Sequence, residues 1–313
     1  MNIRTFQPGD EALQIAIYNQ AAATLPAFKP ATVFEIQRRT TSRNFDPSTK
    51  LFAVEGTEVV GYCTFHDNGR ISFPWCADGK QAHGTELFHA AITAMQQRGI
   101  RTAFAAYRED WQPIWDFFRK EGFSKSRDMI NFLQDIIEMP TVSLKVSNPI
   151  TPLRIEDIPA VFEMGKSVIR AQSPRELQVH LFRNAYFGPE NVFVLRSKVD
   201  ESPLGVGLLI TESTYAAAEE VNPQMPCFWL GAFGTEFMST KRIKGLLSLL
   251  ARPDSNFHNT CLDLLGHTFA VLQEHDDICT LATQVPSDAT HVLEFFSRHF
   301  KRQGSFPVYE RNI

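Results

Sequence analysis

The sequence has no apolar run approaching the roughly 20 residues that a membrane-spanning helix needs, so no membrane partner is expected. It also has no Cys-x-x-Cys pair. Its five cysteines, Cys63, Cys76, Cys227, Cys261 and Cys279, are odd in number and widely spaced, which excludes a zinc ribbon or dithiol redox centre and leaves reduced, buried thiols. An excess of positive charge is missing too. A net charge of −4 argues against bulk affinity for nucleic acid, while a local basic patch would still suit a phosphorylated ligand. No Ser/His/Asp order, metal-spaced cluster or full P-loop is present, so no metal is expected. Residues 1–6 read straight into an amphipathic strand, without the basic-then-apolar layout of a secretory signal, and a cytoplasmic location is expected.

What is there is a chain of 313 residues, 43% hydrophobic and 21% charged, in the range of a globular protein with about two domains. Phenylalanine dominates the aromatics, 26 residues against 6 tyrosines and 4 tryptophans, so hydroxyl-bearing rings are scarce and most rings belong to cores.

Periodicity gives the same order of elements twice. Residues 3–6 alternate as a strand, Pro8-Gly9-Asp10 turns, and residues 12–23 have helical spacing. Residues 51–55 and 59–65 form a hairpin across Gly56-Thr57-Glu58, residues 70–77 a further strand, and residues 85–98 a helix stopped at Gly99. Residues 102–107 make a strand and 111–121 a helix ended by Gly122. In the second half, residues 151–155 are strand-like, 158–169 helical, 192–195 and 204–210 a hairpin, and 227–237 a long strand. Helical segments follow, interrupted by an inserted loop at 252–256, then a strand at 278–284 and a helix at 291–299. Asp10 corresponds to Asp157, and Asp110 with Phe117-Phe118 matches Asp288 with Phe295-Phe296 at the same seven-residue step. Residues 139–150, with two prolines and little periodicity, read as a linker between domains at 1–138 and 151–313.

This order resembles the GNAT acyltransferase superfamily over nearly all of both halves. The resemblance implies an α+β (mixed α/β) protein of two tandem GNAT-like folds, each a central mixed, mostly antiparallel sheet flanked by helices. In that family the fourth strand leads into a loop of pattern Arg or Gln, two residues, Gly, one residue, Gly or Ala, whose amides hold the CoA pyrophosphate at a helix N-terminus, an anion site made by unpaired N–H groups and the helix dipole. The first half offers Gln81, His83, Gly84 and Thr85, with Glu86 where the last small residue belongs. The second offers Lys241, Arg242, Lys244 and Gly245, with Leu247 in that place. Three cations at a helix start oppose the dipole, so the second loop is expected to be the stronger phosphate site. Pro74 cannot donate to a ladder, and its strand must bulge, lie at an edge or open there.

The resemblance further implies transfer of an acyl group from acetyl-CoA to a small-molecule or peptide amine, with one active and one degenerate domain. Such transfer needs a base, an oxyanion donor and commonly an acid for the departing thiolate. The family often supplies that acid as a tyrosine four residues before a Gly-Phe pair, but Phe118 precedes Gly122-Phe123 and Phe296 precedes Phe300. Tyr107 is the candidate replacement, and Glu236 the candidate base. The missing tyrosines motivate a second reading, a catalytically inactive CoA-sensing or partner-binding module. A third, an aminoacyl-tRNA-dependent transferase, is disfavoured by the acidic net charge.

Overall fold

A computed structural model describes residues 1–28, 30–40, 45–138, 148–165, 171, 173–183, 187–211, 245–254 and 256–313. The chain divides into two compact units, one of residues 1–127 with 306–313 and the other of residues 128–305.

The first unit runs β1 (Asn2–Thr5), α1 (Asp10–Ala21), α2 (Val33–Thr40), β2 (Lys50–Glu55), β3 (Glu58–Thr64), β4 (Trp75–Cys76), α3 (Gly84–Gln97), β5 (Thr102–Ala106) and α4 (Gln112–Lys120), then the start of β6 (Ser124–Asp135). Strands β1 to β4 form an antiparallel sheet in chain order. Helix α3 covers it with Leu87, Phe88, Ala91, Ile92 and Met95, all buried and at helical spacing, so burial of one apolar stripe is what holds the helix in place.

The second unit runs from the rest of β6 through β7 (Ile150–Pro152), α5 (Ile158–Met164), α6 (Pro174–Phe182), β8 (Val192–Arg196), β9 (Pro203–Ile210), β10 (Leu246–Ala251), α7 (Phe257–Leu272), β11 (Thr280–Pro286) and α8 (Thr290–His299) to the start of β12 (Lys301–Asn312). Its sheet is antiparallel except where β10 meets β11. One face packs against α7 and α8 through Leu249, Leu264, Leu281 and Phe295. The other packs against α5 and α6 through Val194, Leu208, Val161 and Leu177.

The cut between units falls at Arg127 and Asp128 rather than within 139–150, of which 139–147 lie outside the described residues. Strand pairing is the reason. Residues 129–135 of β6 ladder with β11 in the second unit, and residues 308–312 of β12 ladder with β5 in the first. The first unit is therefore finished by a strand from the C-terminal end of the sequence, and the second begins with residues 128–135 of β6.

Duplication is visible at the Asp10 and Asp157 positions. Each carboxylate accepts from the backbone N–H three residues earlier, Gln7 at 2.7 Å and Arg154 at 2.8 Å. Each also binds an arginine in fork geometry, Arg4 at 2.6 and 2.8 Å and Arg196 at 2.7 and 2.8 Å. The arginine comes from β1 in the first unit and from β8 in the second, so the role recurs while its donor strand differs.

The sequence-based order is corrected in the second half. Residues 246–251 are a strand paired with β9 along their whole length, not the start of a helix. Leu246-Leu247-Ser248-Leu249-Leu250-Ala251 is apolar on both sides because the strand is central and covered on both faces, and such a run carries no alternation to separate strand from helix. The 252–256 stretch is consequently the link from β10 to α7 rather than an insertion within a helix. The long strand expected at 227–237 lies outside the described residues.

Candidate active site

The opening in the first unit begins where β4 leaves β5. Gly69 to Ile71 are still joined to β5, the Ile71 N–H donating to the Phe104 carbonyl at 2.9 Å and the Phe104 N–H to the Gly69 carbonyl at 2.8 Å. Gly69 has φ +90°, and a Cβ there would lie 2.3 Å from the Thr102 carbonyl oxygen, so only glycine fits. Four residues further the pairing has changed. Phe65 faces Ile71 but Tyr62 faces Trp75, so three steps along β3 match four along the facing segment. One residue is extra, and the bulge falls at Phe73-Pro74, where proline has no N–H to offer a ladder. Among the described residues, Trp75 and Cys76 pair with β3 alone.

The bulge re-aims the backbone. The Phe73 N–H turns toward β5 and donates to the Tyr107 hydroxyl oxygen at 2.6 Å. The Ala77 N–H donates back to Val60 on β3 at 2.9 Å, so alternation directs the Cys76 N–H away from β3, into the opening. Burial pushes the Cys76 thiol up to about 11 and the Cys63 thiol up to about 12, which keeps both protonated at neutral pH and removes them as nucleophiles.

Past β4 the chain passes through Gly79, with φ +75°, and a short 3-10 turn at Gln81–His83 into α3. No side chain caps the start of α3, and the Gly84 N–H donates to the Gln81 carbonyl within the 3-10 turn that leads into it, so the unpaired amides belong to the start of that turn at Gln81 and Ala82. Gly84 seats the helix start against the bulge, its Cβ position 3.5 Å from Pro74 Cγ. Gln81 and Thr85 are exposed, as is Glu86. Glu55 pairs with Lys80 and lies 3.8 Å from His83; the Lys80 ammonium holds the Glu55 carboxyl below its usual range. Gln81, His83, Gly84 and Thr85 thus lie together in the turn into α3, beside the opened strand.

Tyr107, just beyond β5, stacks on Trp111 at 5.9 Å and lies 6.0 Å from the Phe118 ring. Phe118 is the position at which the resemblance expects a tyrosine, and it is fully buried. A phenol therefore stands next to the missing one. Burial pushes the Tyr107 phenol well above its ordinary value, so it remains a proton donor throughout the neutral range. Sequence reasoning marked this strand through Pro74 without naming the Phe73 and Cys76 amides.

The second unit has the same opening with a different loop. Strands β10 and β11 pair at Leu246 and Ala282 alone, while β10 and β9 stay paired over six positions. In the link from β10 to α7 the Asp254 carboxylate accepts from the Asn256 N–H at 2.9 Å and the Phe257 N–H donates to the Asp254 carbonyl at 3.1 Å, while α7 itself begins, like α3, without a side-chain cap. Gly245 opens β10 at φ +82°, and a Cβ there would lie 2.6 Å from the Thr280 carbonyl oxygen. Its N–H donates to Ile210 at 3.0 Å and its carbonyl accepts from Ala282 at 2.9 Å. Both backbone groups are committed to the sheet, which corrects the expectation that Gly245 sits at a helix N-terminus. Lys241, Arg242, Lys244 and Glu236 lie outside the described residues. Among the described residues there is no group of three or more side chains able to hold a metal, and no helix long and apolar enough to cross a membrane.

No family model and no curated protein matches the chain. Solved structures do. A GCN5-related N-acetyltransferase from Sphaerobacter thermophilus aligns with a TM-score of 0.66 over 99% of this chain and 95% of its own, at 14% identity. A tandem GNAT protein from the clavulanic acid biosynthesis pathway aligns at 0.54 over 99% and 98%, at 12% identity. A GCN5-related N-acetyltransferase from Kribbella flavida aligns at 0.54 over 99% and 71%, at 11% identity. The chain has the mixed α/β fold of the GCN5-related N-acetyltransferases, in tandem.

Proposed function

We propose that this protein is an N-acetyltransferase whose first unit binds acetyl-CoA and passes the acetyl group to a small-molecule or peptide amine. The observation that carries the reading is the run from bulge to helix: the strand bulges at Phe73-Pro74, and the chain then enters α3 through the 3-10 turn at Gln81–His83 with no side-chain cap at Gly84. The amides that open the turn at Gln81 and Ala82, ahead of the Gly84 N–H that donates to the Gln81 carbonyl, would hold the pyrophosphate, with the Gln81, His83 and Thr85 side chains beside them. In the second unit the Asn256 N–H is taken by the Asp254 carboxylate and the Phe257 N–H by the Asp254 carbonyl, which supports reading that unit as the degenerate one. This moves the nucleotide from the basic loop favoured by charge alone to the first loop.

Bound acetyl-CoA would supply an activated thioester. The outward-facing Cys76 N–H is the donor for its carbonyl oxygen, stabilising the charge that grows there. As the amine nitrogen forms the new C–N bond and the C–S bond breaks, the Tyr107 phenol gives its proton to the departing sulfur, and the surplus amine proton leaves to water. The phenol then recovers its proton from solvent.

The test is calorimetric titration of the full chain with acetyl-CoA, followed by turnover with an amine panel. Saturable binding weakened by at least about tenfold in Thr85→Glu, which sets a second carboxylate in the first turn of α3, supports the first unit. A loss confined to Arg242→Ala would move the nucleotide to the second unit. No binding at about 1 mM ligand would end the acyltransferase reading. Because the Tyr107 oxygen already accepts from Phe73 and Phe118 has no hydroxyl, a CoA-sensing module is the second reading; binding with no consumption of thioester would select it.

A further inference from the structure

We propose that Tyr309, on the last strand of the chain, is a positioning residue for Tyr107 and acts through Trp115. The inference rests on the reading of Tyr107 above, but its geometry stands apart from it. Trp115 is 2% exposed and lies between two phenol rings. On one side Tyr309 stacks on it at 4.5 Å and 20°. On the other it meets Tyr107 edge-on at 5.9 Å and 71°. Its indole N–H donates to the Arg108 carbonyl at 2.8 Å, so the same side chain fixes both the Tyr107 ring and the backbone one residue beyond it.

Tyr309 reaches this place because residues 308–312 ladder with β5, Tyr309 opposite Ala105. Other groups hold that strand without it. Arg311 donates to the Glu121 carbonyl at 2.6 Å, and the Ile313 N–H donates to the Arg101 carbonyl at 2.9 Å. Removing the Tyr309 ring should therefore release Trp115 while the strand stays paired. A flat ring at 309 is what the stack requires; the hydroxyl makes no part of it.

The experiment compares Tyr309→Ala, Tyr309→Leu and Tyr309→Phe in the full chain. With an accepted amine in hand, Tyr309→Ala lowers kcat about tenfold while the acetyl-CoA Kd stays within about twofold, and Tyr309→Phe restores kcat. In a Tyr107→Phe background Tyr309→Ala has no further effect on kcat, an outcome a general loss of structure would not give. A second readout needs no activity: burial makes both Tyr107 and Tyr62 late-ionising, so alkaline spectrophotometric titration is read as the absorbance step that Tyr107→Phe removes, and that step comes at lower pH in Tyr309→Ala than in Tyr309→Phe. Tyr309→Leu, which fills the space without a flat ring, behaves as Tyr309→Ala and serves if the alanine variant does not fold. Equal kcat and equal titration curves for Phe, Leu and Ala would overturn the proposal. Absence of turnover in the wild type would overturn the acetyltransferase reading alone, and the phenol titration would still decide the role of Tyr309.

Discussion

The amide of Phe73 and the hydroxyl of Tyr107 meet at 2.6 Å, just past the point where the segment leading into β4 stops pairing with β5. The bond ties the bulge to the end of β5 through a side chain instead of the backbone, and it leaves the phenol proton free to be given away. Replacing Tyr107 by Phe removes both functions. With an accepted amine, kcat should fall by about tenfold or more, with the acetyl-CoA Kd within about twofold, because the phenol acts on the leaving group and not on binding. Stability should drop by about 1–3 kcal/mol in urea unfolding, since the Phe73 N–H then lacks an acceptor. A kcat equal to wild type would remove Tyr107 from the chemistry.

The pH profile follows from the same residue. Burial raises the Tyr107 phenol above its ordinary value, and the Phe73 amide and Arg70, which pull it down, do not cancel that. An acid must be protonated to act, so kcat measured with saturating substrates should stay level through about pH 10, where an ordinary tyrosine is half ionised. A limb falling with a midpoint near 10 or below would show an unburied acid or a different one.

Gly69 offers a test of the opening itself. Its φ of +90° and the 2.3 Å from a would-be Cβ to the Thr102 carbonyl mean that Gly69→Ala must shift backbone, not a flexible side chain. A loss of about 2–4 kcal/mol is expected in denaturant unfolding. Gly79→Ala, at φ +75° with open space around its Cβ position, should cost about 1 kcal/mol, the conformational part alone.

Much of the first unit was legible in the sequence because its strands alternate or sit between clear turns, and because Pro74 marks the bulge, but α2 and β6 were not read, and of the strand expected at 70–77 only Trp75 and Cys76 form β4. The second unit misled where its central strand is apolar on both faces: Leu246 to Ala251 reads equally well as buried helix, and that shift displaced the expected phosphate loop onto Gly245. The return of β12 to the first unit left no mark, since a ladder partner is set by long-range geometry rather than by the residues of one strand. Asp10 and Asp157 were matched correctly as turn residues, yet their arginine partners were hidden because Arg4 and Arg196 occupy different strands.

Asp157 and Arg196 form the more buried of these two pairs, with side chains 6% and 4% exposed. Burial alone would raise the Asp157 carboxyl, but the fork of Arg196 and the Arg154 N–H more than offset it, and the net direction is down. A carboxyl lowered in the folded state adds stability that is complete above its unfolded value near 3.9 and is lost as pH falls toward the folded one. Acid unfolding of Asp157→Asn should therefore show less dependence on pH below about 4 than wild type. At neutral pH the variant should lose about 3–5 kcal/mol, because Arg196 is left buried without its counter-charge.

His299 gives the opposite end of the pH scale. Its ring lies 5.3 Å from that of His258, its Nε2 is buried without a hydrogen-bond partner, and burial, then His258 and Arg298, lower its pKa. The neutral imidazole is the form the fold accepts. As pH falls below the ordinary value near 6.5, the unfolded chain takes up this proton and the folded chain does not, so stability declines until the lowered folded value is reached. Between about pH 7 and 5 the melting temperature of wild type should fall more steeply than that of His299→Gln, which carries no titrating ring. Parallel slopes for the two proteins would show that the proton goes elsewhere, with His258, the imidazole across from it, the next to replace.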